Sequence, residues 1–258
     1  MLETLEAPPA RPPSGEPQAR LTLAQHLEEL RRRLALCLLV LLAAVGVSFS
    51  QADRIIGWLR RPAEGLLPRF AFFTPTEPLL AYIKVSILAG LILSMPVILS
   101  QVWGFVRSGL TWRERYYGLA FIAWGSLLFV AGVAFAYFWL LPVSLKMLLG
   151  IGRGMLEPVV SIDTYLSFVT TLAFWCGVVF ELPVVLFLLA KVGVVTTEWL
   201  RQSRSYAILV LCIVAALVTP TTDPVNMVLM AIPMVLLYEV SIWVTQFAIR
   251  RPPHGGRS

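Results

Sequence analysis

One long apolar segment of the chain contains a single ionisable side chain. The segment from Thr164 to Ala190 has 27 residues and one charge, that of Glu181. The hydrocarbon core of a bilayer is about 30 Å thick and takes about 20 helical residues, so this segment is long enough to cross a membrane. A carboxylate costs roughly 2.5–3.5 kcal/mol at the centre of such a helix, so Glu181 is expected to face protein or water instead of lipid.

Two interpretations of Glu181 are open. An ionisable group inside a span is by default a functional candidate. Pro183 lies two residues later, where its missing N–H loosens the helix near residue 179. The alternative is a structural acid that is hydrogen-bonded to a neighbouring helix. The adjacent proline favours the functional interpretation.

The composition of the whole chain agrees with a membrane protein. Apolar residues make up 58% of the 258 residues and charged residues 14%, whereas soluble domains have about 25% charged residues. The connecting loops are too short to hold a separate domain. The cysteines all lie in apolar segments and are interpreted as small buried hydrophobes, with no sign of a disulfide or a metal site; they are Cys37, Cys176 and Cys212.

The chain is predicted to consist of one membrane domain, residues 21–249, between two cytoplasmic tails. Residues 1–20 are rich in proline and cannot bury enough apolar surface to fold, so we expect a disordered tail. Residues 250–258 form the second tail. Residues 21–33 show leucines at helical spacing, which predicts an amphipathic helix at the membrane surface with Thr22 as a candidate N-cap.

Six membrane-spanning helices are predicted, which places the protein in the all-α class. Their ranges are 34–49, 79–106, 116–141, 164–190, 206–218 and 225–247. The fifth apolar run has 13 residues, about 20 Å of helix, and Glu239 interrupts the sixth. We therefore expect two short C-terminal spans beside a thinned bilayer. The alternative is that flanking residues extend both helices.

Prolines and a surface helix suggest the overall shape. Pro96, Pro183 and Pro233 lie within spans, and Pro142 is expected to end the third. Kinks at these positions, together with short final spans, favour a cup with a polar recess. Residues 53–59 mix apolar side chains with charges and are expected to form a helix at the outer membrane interface. Ser161 and Asp163 are candidate caps for the start of the fourth span.

The distribution of lysine and arginine predicts the orientation. With six spans both termini lie on one side, and that side carries fourteen of these residues against six on the other, which makes it cytoplasmic. Lys84 lies inside the second span and is expected to extend towards the outer surface. The fourteen are Arg11, Arg20, Arg31, Arg32, Arg33, Arg107, Arg113, Arg115, Lys191, Arg201, Arg204, Arg250, Arg251 and Arg257, and the six are Arg54, Arg60, Arg61, Arg69, Lys146 and Arg153.

The sequence lacks the motifs of the common enzyme classes. It contains no G-x-x-x-x-G-K-[ST], no H-E-x-x-H, no G-x-S-x-G and no Cys/His ligand spacing. The remaining candidates are the cytoplasmic acids Glu28, Glu29 and Glu114, because carboxylates on one surface attract a guanidinium. The alternative is local pairing. It is favoured for Glu28, with Arg32 as the partner, and stays open for Glu29 and Glu114.

Several motifs in order along the chain resemble those of the TatC family, the polytopic subunits of twin-arginine protein translocases. The segment from His26 to Leu34, H-L-E-E-L-R-R-R-L, is similar to the family's entry motif. Further matching segments are F-F-T-P at 72–75, L-S-M-P-V-I-L at 93–99, Q-V-W-G-F at 101–105, G-L at 109–110, R-E-R at 113–115, A-F-A-Y-F at 134–138, Y-L-S-F at 165–168, F-E-L-P at 180–183, T-P at 219–220, D-P at 223–224, A-I-P at 231–233 and Y-E at 238–239.

The resemblance implies a cup-shaped receptor in the plasma membrane that binds signal peptides with consecutive arginines on folded cargo. By motif position, Glu29 and Glu114 would contact those arginines, and Arg31 and Phe105 would belong to the same cytoplasmic patch. Glu181 would line the concave face within the membrane. Pro62 would be a structural proline, and no cofactor is implied.

The resemblance also implies partners and an energy source. Single-span subunits of the TatA and TatB type would dock along spans five and six, and the proton-motive force would drive transport. Two positions depart from the family pattern. Ser108 stands where a proline is frequent, and Met227 stands where a glutamine is frequent.

Two other classes are weaker. A secondary transporter with Glu181 as a proton-coupling carboxylate would be expected to show related halves, and no repeat between the first and last three spans is evident. A structural scaffold would have little use for a lone acid within the membrane.

Overall fold

The computed structural model describes residues 23–66, 70–106, 118–150, 159–191, 193–219 and 224–248, which form ten α-helices. Both predicted tails, Thr22, Ser108 and Glu114 lie outside these residues. The helices are α1 (Leu23–Phe49), α2 (Ala52–Arg60), α3 (Glu77–Val106), α4 (Gly118–Phe135), α5 (Leu141–Leu148), α6 (Ile162–Phe180), α7 (Leu182–Lys191), α8 (Thr197–Gln202), α9 (Arg204–Val218) and α10 (Pro224–Ala248).

The first span and the predicted surface helix are one helix. α1 is continuous over 27 residues, and its apolar part runs from Leu27 to Phe49. The prediction of a separate surface helix over residues 21–33 is therefore wrong. The arginines and leucines at this junction are all good helix formers, so nothing interrupts the backbone hydrogen bonds.

The third span continues beyond its predicted end. Pro142 lies in the first turn of α5, and the apolar span reaches Leu148. One turn of π-helix, Ala136–Leu140, precedes it. Proline has no N–H for the carbonyl four residues earlier and its ring crowds that carbonyl, so a wider turn there lets the helix continue. The prediction that Pro142 ends the span is wrong.

The fourth span is interrupted at Glu181, between α6 and α7. The Glu181 N–H donates to the carbonyl of Val178 at 3.1 Å, one residue short of the normal helical partner. Pro183 has no N–H to offer residue 179, so the regular pattern fails at this point, as predicted. The two helices together cover 30 residues of one span.

The last two spans differ in length. α9 has 15 residues, as its short apolar run predicts. α10 has 25 residues and continues through Pro233 and Glu239. The sixth span is therefore not short, because Pro224–Gln246 is long and apolar enough to cross a membrane. The Glu239 carboxylate accepts a hydrogen bond from Arg204 at 2.8 Å, and this pairing at the start of α9 offsets part of the cost of its charge.

The spans form a cup. α1 packs mainly against α3, which packs in turn against α4 and α6. α10 packs against α7 on one side and α9 on the other. With α9, the five helical segments that are long and apolar enough to cross a membrane make six spans, and the all-α prediction is confirmed.

Two glycines allow neighbouring spans to approach closely. A Cβ on Gly90 of α3 would lie 2.8 Å from the backbone nitrogen of Val45 on α1. A Cβ on Gly132 of α4 would lie 2.6 Å from the carbonyl oxygen of Cys176 on α6. Helices in membranes associate through such small residues, because lipid offers no hydrophobic drive for helix contact.

Polar contacts join the connecting segments at the end of the molecule that carries α2, which we call the α2 end. Ser161 caps α6, its Oγ accepting from the N–H groups of Asp163 and Thr164. The same hydroxyl donates to Glu77 at 2.6 Å. Ala71 forms an isolated parallel bridge with Ser161. The capping role predicted for Ser161 is confirmed.

Lys84 has a protein partner instead of solvent alone. Its Nζ lies 2.6 Å from Oδ1 of Asp163 and 2.7 Å from Oγ of Ser167. The side chain extends towards the α2 end, where α6 begins. The ammonium is neutralised there by a carboxylate from another span, which the prediction did not include.

Candidate functional site

The carboxylate of Glu29 lies in a groove between the start of α1 and the end of α3, which we call the α1–α3 groove. It encloses about 880 Å³. Its lining combines ionic, amide and aliphatic side chains, those of Glu28, Glu29, Arg32, Arg33, Ala35, Leu36, Leu39 and Gln101. Such a lining suits a cationic peptide that continues into an apolar stretch, because one part neutralises charge and another buries methylene groups.

The Glu29 carboxylate is already paired with an arginine of the same chain, Arg33. Its Nε and Nη2 lie 3.1 and 2.5 Å from Oε1 of Glu29. Its Nη1 donates to the backbone carbonyl of Gln101 on α3 at 3.4 Å. The guanidinium also covers Gly104, where a Cβ would lie 2.0 Å from Nη1. Glu29 is therefore held in place by a group of the same chemistry as a peptide arginine.

The ion pair expected between Glu28 and Arg32 is formed instead by the next residue of each, Glu29 and Arg33. In the part of α1 whose side chains are described, the ion pair four residues apart joins Glu29 to Arg33. Glu28 and Arg32 line the groove but form no ion pair with each other. The prediction of a Glu28–Arg32 pair is wrong, because Arg33 is the arginine that faces α3.

The other predicted residues of this patch have different positions. Arg31 is exposed on α1, and Phe105 is half-buried near the end of α3. Neither is among the described residues that line the groove. Glu114 lies outside the described residues, so its predicted convergence with Glu29 stays a prediction.

Glu181 is a buried acid that faces the neighbouring helices. Only 7% of its surface is exposed. Its Oε2 lies 3.2 Å from the position that a Cβ of Gly125 on α4 would occupy, and Leu99 of α3 borders the same point. Among the described residues neither carboxylate oxygen has a hydrogen-bond partner, and nor does the nearby buried hydroxyl of Ser126.

The environment of Glu181 separates the two interpretations. A structural acid would have hydrogen bonds to a neighbouring helix, which the described residues do not supply. Leaving a buried polar group without a partner costs about 1–3 kcal/mol, and more when the group is charged. A group held at this cost is a candidate for contact with something outside the chain.

Pro62 lies in a short 3₁₀ turn, Arg61–Ala63, that follows α2. Ala63 in this turn is fully buried, so a rigid proline here fixes a packed corner. Within the described residues no group of three His, Cys, Asp or Glu side chains is placed to bind a metal ion.

Sequence reasoning left local pairing of Glu29 open without naming Arg33, and it did not predict the Lys84–Asp163 pair. The spacing of Glu29 and Arg33, four residues apart on a helix, was available as a signal. The Lys84–Asp163 pair has no such signal, because it joins residues from different spans.

Comparisons with known proteins agree with this architecture. A family model described as Sec-independent protein translocase protein (TatC) matches residues 25–233. The TatC protein of Aquifex aeolicus is 40% identical over 233 residues, covering 89% of this chain and 96% of the relative. The TatC protein of Carboxydothermus hydrogenoformans is 37% identical over 227 residues, covering 88% and 93%.

The same similarity extends to plants and to solved structures. A chloroplastic Sec-independent translocase protein of Arabidopsis thaliana is 37% identical over 230 residues, covering 89% of this chain and 68% of the relative. A crystal structure described as the twin arginine translocase receptor TatC superposes with a TM-score of 0.79 at 39% identity. That match covers 87% of this chain and all of the solved chain.

Proposed function

Because this chain belongs to the TatC family, we propose that it is the receptor for twin-arginine signal peptides in its translocase. Family membership makes it a multi-pass membrane protein of the Sec-independent protein translocase. The proposal assigns the peptide-binding surface to the α1–α3 groove, and Glu29 carries it.

The chemistry of Glu29 supports this assignment. A guanidinium binds a carboxylate through a planar fork of N–H donors, and the pair with Arg33 has this form. A signal arginine would either compete with Arg33 or add to the same acid. The leucines Leu36 and Leu39 continue the groove along α1 and would contact the apolar part of the peptide.

The remaining residues of the patch have proposed roles. Glu114 supplies the carboxylate for the second signal arginine, in the segment between α3 and α4. Arg31, exposed on α1, and Phe105, near the end of α3, border the peptide. Glu181 meets the inserted signal peptide or a polar group of a partner subunit, since its oxygens have no hydrogen-bond partner among the described residues.

The proposed partners are single-span subunits of the TatA and TatB type, docked along α9 and α10. α9 exposes an apolar face in the membrane, with Tyr206 75% and Leu217 80% exposed. A short helix beside a locally thinned bilayer suits contact with a second span. The proposed location is the plasma membrane with both termini in the cytoplasm, which the lysine and arginine distribution supports. The proton-motive force is the proposed energy source for export of folded cargo.

Site-specific photocrosslinking in membranes tests the proposed groove. A photoreactive residue would replace Leu36 or Gln101 in the groove, and Val194, which is 68% exposed near α8, as the matched control. A peptide with an Arg-Arg pair should crosslink at Leu36 and Gln101 at least five times more than at Val194. The corresponding Lys-Lys peptide should crosslink less at both. Equal crosslinking at all three positions would refute the assignment.

A further inference from the structure

A second cavity lies at the α2 end, away from the α1–α3 groove. It has a volume of about 380 Å³ and is open on one side. Ligand pockets range over about 300–1,000 Å³, so it has room for a ligand group. Its walls are almost entirely apolar and come from several elements, among them α2 with Ile55 and Leu59, α4 with Val133 and Ala134, and α6 with Leu172 and Ala173.

The cavity is built by fixed contacts. The hydroxyl of Tyr137, in the π turn, donates to the backbone carbonyl of Trp58 at 2.7 Å. The hydroxyl of Tyr165 on α6 donates to the carbonyl of Leu59 at 2.7 Å. These two bonds hold the end of α2 against the spans, while the wide π turn changes the direction of the side chains that follow it. π turns inside α-helices occur frequently at functional sites.

Among the described residues that line this cavity, Arg61 is the one with a charged side chain. Arg61 is exposed, and among the described residues its guanidinium has no hydrogen-bonded or ion-paired partner. The adjacent Arg60 differs, because its guanidinium lies 5.0 Å from the ring centre of Phe70. Trp58, which also lines the cavity, is 63% exposed, as is typical of tryptophans at a membrane interface.

We propose that this cavity binds a phospholipid with an anionic headgroup, its acyl chain between α2 and the π turn and its phosphate on Arg61. The cavity is formed by helices that cross the membrane and by α2, which lies where the spans end, so lipid of the surrounding bilayer is the apolar molecule available to it. Apolar walls take a hydrocarbon chain, and the guanidinium of Arg61, which has no hydrogen-bonded or ion-paired partner among the described residues, takes a phosphate through two parallel N–H donors. This site is independent of peptide binding in the α1–α3 groove.

Lipid photolabelling of the purified full-length chain tests the proposal. The probes are phosphatidylglycerol and phosphatidylcholine with the same photoreactive acyl chain, and labelled peptides are identified by mass spectrometry. Labelling should fall on α2 and the π turn. Unlabelled phosphatidylglycerol should compete at least five times better than phosphatidylcholine with the same chains, and inorganic phosphate should not compete.

Three variants separate the two parts of the site. Arg61→Ala should lower phosphatidylglycerol labelling at least fivefold, to the level of phosphatidylcholine, and Arg61→Lys should restore part of it. Ala134→Phe fills the cavity and should lower labelling by both lipids. Arg54→Ala is the matched control, because Arg54 is an exposed arginine of α2 that does not line the cavity.

Each outcome decides the proposal. Unchanged labelling in Arg61→Ala or in Ala134→Phe would overturn it, as would an equal loss in Arg54→Ala, which would indicate general surface charge. Competition by inorganic phosphate alone would overturn the assignment to a lipid. Each variant should melt within a few degrees of the unmodified chain in lipid-free detergent. If Ala134→Phe fails to fold, the result for Arg61→Ala decides whether the headgroup binds at Arg61.

Discussion

Lys84 on α3 and Asp163 on α6 form an ion pair inside the membrane domain, with 2.6 Å between Nζ and Oδ1. Their side chains are 37% and 22% exposed, so both charges are partly removed from water. The pair joins α3 to α6, next to the capping residue Ser161. It therefore links these two spans close to the loop contacts at the α2 end.

Breaking this ion pair should destabilise the protein. Lys84→Met leaves Asp163 without its cation, and Asp163→Asn does the reverse, so each should lower the free energy of unfolding by about 1–3 kcal/mol. The double variant should lose less than the sum of the two. Thermal unfolding in detergent measures this. The more exposed pair Arg204–Glu239 is the control and should cost at most about 1 kcal/mol. If both single variants melted at the temperature of the unmodified chain, the ion pair would not contribute to stability.

The close contact of α4 and α6 at Gly132 gives a second prediction. In Gly132→Ala the new Cβ would meet backbone atoms of Cys176 and Gly177 at 2.6–2.9 Å. Because a helix backbone cannot move aside as a flexible side chain can, the variant should lose about 1–3 kcal/mol of stability. Gly46→Ala on α1 is the control, since nothing lies within 4 Å of its Cβ. It should be neutral or slightly stabilising, and equal melting temperatures for the two variants would contradict the packing argument.

The features that sequence predicted well are local. The break at Glu181 follows from the missing N–H of Pro183, and the Ser161 cap follows from a hydroxyl at a helix start. Long apolar runs predict spans, because the bilayer thickness sets their length. The short α9 was predicted on the same argument.

The features that sequence missed depend on neighbouring elements. Pro142 was expected to end a helix, but a π turn accommodates it inside a packed span. Glu239 was expected to interrupt a span, but Arg204 pairs with its carboxylate. The choice of Arg33 over Arg32 as the partner of an acid on α1 depends on which side of the helix faces α3. No pattern along the chain contains that information.

The length of α9 predicts a thinner bilayer at that edge of the cup. Fifteen residues give about 22 Å of helix, against a hydrocarbon core of about 30 Å. Cysteine accessibility scanning over positions 198–226, in a chain whose native cysteines are replaced, should find a protected stretch of about 15 residues. The same scan over α3 is the control and should find at least 20. A protected stretch of 20 or more residues at α9 would argue against local thinning.

Substitutions of Glu181 separate three roles for the buried acid. Glu181→Gln keeps hydrogen-bonding capacity without charge, and Glu181→Ala removes both. If the residue contacts an inserted peptide or partner through hydrogen bonds, Gln should retain most export and Ala should lose most of it. A proton-coupling role would make both fail.

The measurement for Glu181 is export per molecule of inserted protein, which separates function from abundance. Ser126→Ala, which changes the neighbouring buried hydroxyl, is a useful comparison because it leaves the carboxylate intact. Near-normal export by the Ala variant would show that Glu181 is a structural residue.

The proposed contact between Glu29 and a signal arginine can be measured in a double-mutant cycle. The dissociation constant would be measured for four combinations: the unmodified chain and Glu29→Gln, each with an Arg-Arg peptide and with a peptide in which one arginine is glutamine. Releasing Arg33 from Glu29 affects both peptides, so that effect cancels in the cycle. Glu198→Gln, at an exposed acid on α8, is the control.

We expect a coupling free energy of roughly 1.5–3 kcal/mol between Glu29 and one signal arginine, the range of hydrogen bonds to charged groups. At about 1.4 kcal/mol per tenfold, replacing that arginine should therefore weaken binding 10- to 100-fold more in the unmodified chain than in Glu29→Gln. The Glu198 cycle should give a coupling near zero. If the losses of binding free energy from Glu29→Gln and from replacing either arginine simply add, Glu29 binds neither arginine.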